Sequence, residues 1–204
     1  MKLYYSPGAC SLAPHIVLRE TGLPFELVRV DLASHKLAQP DDYYSVNAKG
    51  SVPVLELDDG ERLTEGPIIA QWICDRAERT DLMPAAGTMA RYRVMEWQNY
   101  VTSELHKSYS PLFKRDFHEE GKAWFRRALR QRYEYVDARL QENEFLTGSS
   151  FTAADAYLFV VTNWAAHTGV DLQNLGALDS FMSRVRAREA VQQALVAEGL
   201  VKTA

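Results

Sequence analysis

Cysteine is scarce in this sequence, and long apolar runs are absent. Only Cys10 and Cys74 occur among the 204 residues, too few for a disulfide framework. This scarcity favours a reducing compartment, so we expect a cytoplasmic protein. No run approaches the ~18 consecutive apolar residues of a membrane span, and the N-terminus lacks the apolar core of a signal peptide. We therefore expect no membrane segment and no membrane partner.

A large excess of one charge is also missing. The chain has 23 Lys and Arg residues against 27 Asp and Glu residues, a formal net charge of −4, which excludes a strongly basic nucleic-acid binder. Hydrophobic residues make up 47% and charged residues 25%, the composition of a globular protein with a substantial core. No grouping of histidine, cysteine and carboxylate has the spacing of metal ligands, so no metal is expected.

Proline divides the chain in two. Six of the 8 prolines lie in residues 1–80, where turn signals predict a strand, a helix, a second strand, a hairpin and a helix. The helix between the first two strands implies that they are parallel, and the hairpin adds an antiparallel edge. We predict a linker over residues 81–87 and an all-helical domain over residues 88–204. Its predicted helices are Met89–Arg115, Lys122–Gln141, Ala153–His167, Leu178–Arg186 and Ala190–Glu198.

Cys10 is the first candidate for chemistry. It lies between a turn containing Gly8 and a helix predicted to begin at Cys10 or Ser11. A thiolate there faces the unpaired N–H groups and the positive dipole end of the helix, which favour its ionisation. Residue 13 is alanine, so no C-x-x-C dithiol is present. A buried structural cysteine is the alternative.

Two short motifs suit a peptide-like ligand. Pro53 precedes a predicted strand and holds Val52 in an extended conformation, so Val52 can pair with an extended ligand backbone. The alternative interpretation is that Pro53 is an ordinary proline of an edge strand and has no role in ligand binding. Glu65 and Gly66 precede a helix predicted to begin at Pro67, where backbone N–H groups form an anion site. Glu65 either caps this helix or receives a ligand ammonium group.

The long helix predicted over Met89–Arg115 has a polar and an apolar stripe. The polar stripe is either a solvated surface or the wall of a polar cleft, and its histidine, serine and asparagine favour the cleft. The polar stripe consists of Tyr92, Glu96, Asn99, Ser103 and His106, and the apolar stripe of Val94, Trp97, Val101, Leu105 and Leu112.

Three further residues are predicted to have structural roles. Thr152 and Asp155 form a capping box, in which the hydroxyl bonds the Asp155 N–H and the carboxylate reaches back. We therefore interpret Asp155 as a folding element and not as a catalytic residue. His15 is predicted to pack on the first helix.

In their order and spacing these motifs resemble a soluble glutathione transferase. The runs S-V-P-V-L and L-T-E-G match that family, and Tyr4–Leu12, with a cysteine where other classes have tyrosine or serine, is similar to the bacterial beta class. His106–Phe113 and Asp155–Phe159 also match this class. The resemblance covers essentially the whole chain. It implies a thioredoxin-like α/β N-terminal domain, an all-α C-terminal domain and a homodimer.

The resemblance implies glutathione as the co-substrate. The Val52–Pro53 pair would meet its cysteinyl backbone, while Glu65 and the Gly66 N–H would take its γ-glutamyl zwitterion. The class tends to place a lysine near position 35 for the glycyl carboxylate. Here either His35 or Lys36 would fill that role.

The resemblance also assigns the thiol end of glutathione. It places Asn99, Ser103 and His106 opposite Cys10, with Cys10 and His106 as the catalytic residues. It places Glu104 across the dimer, near the glutathione of the partner subunit.

The implied activity is conjugation of glutathione to small electrophilic, apolar substrates, as in detoxification. One alternative is a glutathione-dependent thiol–disulfide oxidoreductase in which Cys10 forms a mixed disulfide, and another is a non-enzymatic binder of apolar ligands. The residues expected to line the apolar pocket are Tyr109, Phe113, Trp164 and His167.

Overall fold

The structure of the protein is a computed structural model that describes residues 1–37 and 42–202. The chain divides into two compact units. The first consists of Met1–Thr80 together with the chain from Arg188 onward, and the second is Asp81–Ala187. Within the described residues, no helix combines the length and apolar character needed to cross a membrane.

A five-stranded mixed sheet forms the centre of the first unit, in the order β3-β2-β1-β4-β5. β1 pairs in parallel with β2 and antiparallel with β4, while β5 completes the hairpin at one edge. The predicted parallel pair and the antiparallel hairpin are confirmed, and only the short β3 was not expected. The strands are β1 (Lys2–Tyr5), β2 (Glu26–Asp31), β3 (Lys36–Leu37), β4 (Val54–Glu56) and β5 (Arg62–Thr64).

Among its described residues, the first unit has the α-helices α1 (Leu12–Thr21), α2 (Gly66–Arg76) and α9 (Glu189–Ala197) and a short 3-10 helix, Tyr43–Ser45. α1 packs against both α2 and α9. The last helix was expected in the all-helical domain, within residues 88–204. It belongs to the first unit because it packs against α1, and its buried residues are Val191, Ala194 and Leu195.

The second unit is built of helices and the loops that join them. Residues 81–87, predicted to be a linker, lie within it: Leu82 and Met83 are buried, and the Leu82 carbonyl accepts a hydrogen bond from the Ala153 N–H at 3.0 Å. Its α-helices are α3 (Met89–Tyr100), α4 (Lys107–Phe113), α5 (Glu119–Glu142), α6 (Ala153–Asn163), α7 (Ala165–Thr168) and α8 (Gly176–Arg186).

The helix predicted to run unbroken over Met89–Arg115 contains a π-helical segment, Val101–His106, between α3 and α4. Side-chain hydroxyls compete there for the carbonyls that an α-helix uses. Thr102 Oγ1 donates to the Gln98 carbonyl at 2.8 Å, and Ser103 Oγ donates to the Asn99 carbonyl at 3.1 Å. The wider π turn changes which residues share a face from this point onward.

Candidate active site

The turn that carries Cys10 precedes α1. The Ala9 N–H donates to the Ser6 carbonyl at 3.0 Å, and the Leu12 N–H donates to the Ala9 carbonyl at 3.0 Å. The helix was predicted to begin at Cys10 or Ser11, but α1 begins at Leu12, so Cys10 lies two residues before it. Cys10 is partly exposed, whereas Cys74 is buried in α2.

The Cys10 thiol is hydrogen-bonded to the Val52 backbone. Sγ donates to the Val52 carbonyl oxygen at 3.2 Å, and only the protonated thiol can make this bond. Val52 and Pro53 are buried, and the peptide bond between them is cis. The structure thus brings Cys10 and the Val52–Pro53 pair together.

Two residues that the sequence analysis missed hold the segment before Val52. The Tyr43 hydroxyl and the Asn47 amide both donate to the Ser51 carbonyl, at 2.9 Å and 2.7 Å. Burial raises the pKa of the Tyr43 phenol to about 12, so it remains a donor at neutral pH. The backbone next to Cys10 is therefore fixed before any ligand arrives.

Glu65 lies immediately before α2 with a positive φ of 69°. Its side chain is 64% exposed, and Oε1 lies 2.6 Å from Lys49 Nζ, which also donates to Thr64 Oγ1 at 2.8 Å. Lys49 was not predicted, although it is the cation nearest to Val52 in sequence. α2 begins at Gly66, one residue earlier than expected, and a Cβ on Gly66 would lie 3.8 Å from Pro53 Cγ.

His35 and Lys36 differ in their surroundings. Lys36 is exposed on β3, whereas the His35 ring packs on Tyr44 with centroids 4.7 Å apart. Within residues 1–37 and 42–202, His35 Nδ1 is buried and has no hydrogen-bond partner. Gly50 completes this contact: a Cβ there would come within 2.7 Å of Tyr44 and 3.0 Å of His35.

His106 ends the π-helical segment in the second unit. Its Nδ1 lies 2.6 Å from the Tyr157 hydroxyl, and its ring meets Trp164 edge-on at 4.9 Å. Asn99 and Ser103 are exposed, whereas His106 is half-buried. The predicted polar stripe therefore does not continue unchanged to His106, because the π turn directs the ring toward α6.

Three of the four residues predicted to line the apolar pocket form one aromatic cluster. Trp164 meets Tyr109 at 5.6 Å and Phe113 at 5.7 Å, both edge-on. Burial raises the pKa of Tyr109, whose hydroxyl donates to Tyr133 at 3.1 Å. The fourth residue, His167, is exposed on α7.

Glu104, predicted to act across a dimer, has a partner within its own unit. Its Oε2 accepts from Arg132 Nε at 2.8 Å. No group of three or more histidine, cysteine or carboxylate side chains suited to a metal ion occurs in the described part of the chain.

Two family models match this chain: the N-terminal domain of glutathione S-transferase over residues 8–76 and its C-terminal domain over residues 101–189. Glutathione S-transferase GstA from Escherichia coli O157:H7 is 47% identical to it, over 98% of this chain and 100% of that protein. This chain belongs to the glutathione S-transferase family. It is accordingly a glutathione transferase, and the family predicted from the motifs is confirmed.

Solved structures agree with this assignment. A bacterial beta-class glutathione S-transferase from Sphingomonas chungbukensis superimposes with a TM-score of 0.95 and 45% identity, over 98% of this chain and 100% of that one. A sphingomonad glutathione S-transferase in complex with glutathione gives a TM-score of 0.94 and 43% identity, with the same coverage. The thioredoxin-like fold of the first unit and the helical fold of the second are those of the family.

Proposed function

We propose that this glutathione transferase binds glutathione along the Val52–Pro53 edge, with the glutathione thiol beside Cys10. The observation that carries the proposal is the 3.2 Å hydrogen bond from Cys10 Sγ to the Val52 carbonyl. It puts the thiol of the partly exposed Cys10 against the backbone that suits an extended peptide. The glutathione-bound relative supports the choice of ligand.

The γ-glutamyl end of glutathione would bind at Glu65 and Gly66. The exposed Glu65 carboxylate already holds one ammonium group, that of Lys49, so it suits the ammonium group of the ligand. The Gly66 N–H at the start of α2 would take the α-carboxylate. At the other end, His35 or Lys36 would bind the glycyl carboxylate.

In the reaction, the glutathione thiol loses its proton to solvent and the thiolate attacks a small apolar electrophile. A new carbon–sulfur bond forms as the leaving group departs with its electron pair. Cys10 and His106 would act on the thiol, together with Asn99 and Ser103. The Tyr109–Phe113–Trp164 cluster would hold the apolar part of the substrate, with the exposed His167 at its edge.

The enzyme would work as a cytoplasmic homodimer in detoxification. Its scarcity of cysteine fits a reducing compartment. Glu104 would complete the glutathione site of the partner subunit. To do so, it would have to break its ion pair with Arg132.

A second candidate activity is thiol–disulfide exchange at Cys10. The partial exposure of Cys10 favours it, since Cys74 is buried. The Cys10 thiolate would attack the glutathionyl sulfur of a mixed disulfide and release the other thiol. A second glutathione thiolate would then attack the Cys10–glutathione disulfide, which releases Cys10 and oxidised glutathione.

Cys10→Ala separates the two activities when both are measured on one preparation. The assays are conjugation to an aromatic halide and reduction of a glutathione mixed disulfide, with Cys74→Ala as the matched control. If conjugation is the main activity, the wild type conjugates efficiently and Cys10→Ala loses mainly its reductase activity. If the wild type binds glutathione but has neither activity, the only remaining interpretation is a non-enzymatic binder of apolar ligands. If the Cys10→Ala protein keeps full reductase activity, the covalent role of Cys10 is refuted.

A further inference from the structure

Lys49 and Glu65 form an exposed ion pair beside the edge proposed to receive glutathione. Lys49 Nζ lies 2.6 Å from Glu65 Oε1 and also donates to Thr64 Oγ1 at 2.8 Å. The Lys49 side chain is 51% exposed and the Glu65 side chain is 64% exposed. Because exposed ion pairs contribute little to stability, either charge can leave its partner at a small cost in free energy.

The backbone that carries Lys49 is fixed by the residue that also holds the segment before Val52. Asn47 Oδ1 accepts from the Lys49 N–H at 3.1 Å, and Asn47 Nδ2 donates to the Ser51 carbonyl at 2.7 Å. The Gly50 N–H donates to the Asn47 carbonyl at 2.8 Å, and the positive φ of Gly50, 64°, allows the chain to turn there. Lys49 therefore extends from a defined turn next to the Val52 edge.

The other side of the ion pair is fixed by β5 and α2. Thr64, the last residue of β5, pairs with Val54 of β4. The Glu65 carbonyl accepts from the Ile69 N–H at 3.0 Å in the first turn of α2. Because both backbones are held, the pair can separate by rotation of the exposed side chains of Lys49 and Glu65, without a change in the fold.

The charges of this pair match those of an α-amino acid. Lys49 and Glu65 present one cation and one anion, and the γ-glutamyl head of glutathione carries one ammonium and one carboxylate group. When the ligand ammonium takes the place of Lys49 on Glu65, the ligand carboxylate arrives beside the displaced Lys49 ammonium. Pairing these two groups leaves every charge with a counter-ion, whereas a ligand with only one of the two groups leaves one charge unpaired.

We propose that Lys49 is a further glutathione-binding residue: it exchanges Glu65 for the α-carboxylate of the γ-glutamyl head, and this exchange selects a zwitterionic head. The inference rests on the proposed function, which places that head at Glu65 and the Gly66 N–H. The Gly66 N–H is a neutral donor to the ligand carboxylate, and Lys49 adds a charged one.

Two analogues of glutathione separate the two halves of the exchange. 4-Aminobutyryl-cysteinyl-glycine lacks the α-carboxylate, so Lys49 competes with it for Glu65 and gains no new partner. Glutaryl-cysteinyl-glycine lacks the ammonium group, so its carboxylate competes with Glu65 for Lys49. Lys49→Gln should bind the first analogue roughly threefold more tightly and the second roughly threefold more weakly than the wild type, because each change involves one exposed ion pair. The ratio of the two dissociation constants should therefore change roughly tenfold.

The dissociation constants are measured by isothermal titration calorimetry at about 0.15 M salt, where charges more than about 8 Å apart are largely screened. Lys49→Arg keeps the charge and should keep a ratio close to that of the wild type. Lys2→Gln is the matched control, because it removes the same charge from another ion pair of the first unit, that of Lys2 with Glu56 at 3.4 Å. Its ratio should equal that of the wild type. A thermal melt establishes that each variant is folded.

An unchanged ratio in Lys49→Gln, or a change confined to one analogue, would overturn the exchange. An equal change in Lys2→Gln would also overturn it, because the effect would then be a general one of charge. Failure of the proposed function looks different: the wild type does not bind glutathione, or Glu65→Gln leaves the dissociation constant for glutathione unchanged. Either result removes the γ-glutamyl head from Glu65 and overturns the exchange with it. Binding that depends on Glu65, together with an unchanged ratio in Lys49→Gln, overturns the exchange alone.

Discussion

Glu65 and Asp155 are both carboxylates at the start of a helix, yet their surroundings differ completely. Asp155 in α6 is fully buried and accepts three hydrogen bonds at 2.8 Å, from the Leu146 N–H, the Thr152 N–H and the Thr152 hydroxyl. Glu65 before α2 is 64% exposed, with Lys49 as a charged partner. A buried, saturated carboxylate stabilises the fold, whereas an exposed one with an exchangeable cation can receive a ligand.

Removal of Asp155 should have the largest effect on stability. Asp155→Ala leaves buried backbone N–H groups without an acceptor, so we expect a loss of about 3 kcal/mol in the free energy of unfolding. Glu65→Ala should lose less than about 0.5 kcal/mol, because its ion pair is exposed. Denaturant melts of the two variants would measure both values, and equal losses would contradict the distinction.

The pH dependence of Asp155 sharpens the comparison. Burial raises the pKa of its carboxyl group from 3.8 to about 6, although its hydrogen bonds act in the opposite direction. Because folding raises this pKa, the protonated carboxyl group contributes to the free energy of unfolding. That contribution is complete below pH 3.8, the unfolded pKa, and is lost as the pH rises through 6. Relative to Asp155→Asn, the wild type should therefore lose about 2 kcal/mol between pH 4.5 and pH 7.5. Melts at both pH values test this, and a difference independent of pH would refute it.

Glu65→Gln should impair binding but not folding. The neutral amide cannot pair with the ammonium group of glutathione, so we expect the KM for glutathione to rise roughly tenfold, as a loss of about 1.4 kcal/mol would produce. The melting temperature should change little. Glu61→Gln, on the exposed hairpin turn, is the control; an unchanged KM in Glu65→Gln would exclude Glu65 from the site.

His106→Ala should lower turnover more than glutathione affinity, by roughly threefold to tenfold in kcat, if the ring acts on the ionising thiol. Tyr157→Phe removes the same 2.6 Å hydrogen bond but leaves the imidazole in place. Steady-state kinetics and melts of both variants distinguish catalysis from packing. A lowered melting temperature with unchanged turnover in His106→Ala would assign His106 to packing alone.

Local patterns were sufficient to predict much of the fold. The helix between β1 and β2 implied their parallel pairing, the turn signals of residues 1–80 implied the β4–β5 hairpin, and Thr152 with Asp155 implied the start of α6. The predicted capping box is confirmed, and the Thr152 hydroxyl also donates to the Asp155 carboxylate. Each of these features depends on residues close together in sequence.

The features that were missed depend on distant residues or on competing side chains. The π-helical segment arises where the hydroxyls of Thr102 and Ser103 donate hydrogen bonds to backbone carbonyls of the helix. The spacing of apolar residues in the sequence does not reveal such hydrogen bonds. Lys49 acts through a partner 16 positions away. The S-V-P motif indicated the candidate glutathione-binding edge at Val52. It did not indicate that Cys10 Sγ would donate a hydrogen bond to the Val52 carbonyl.

A structure of the protein with glutathione bound is the most direct test of the central claim, that the Val52 edge receives the peptide with its thiol at Cys10. We predict that the cysteinyl backbone of glutathione pairs with Val52 and that its sulfur lies in contact with Cys10 Sγ, at about 4 Å. The ammonium group should lie on Glu65. Glutathione bound away from Val52, with Lys49 still on Glu65, would contradict the account.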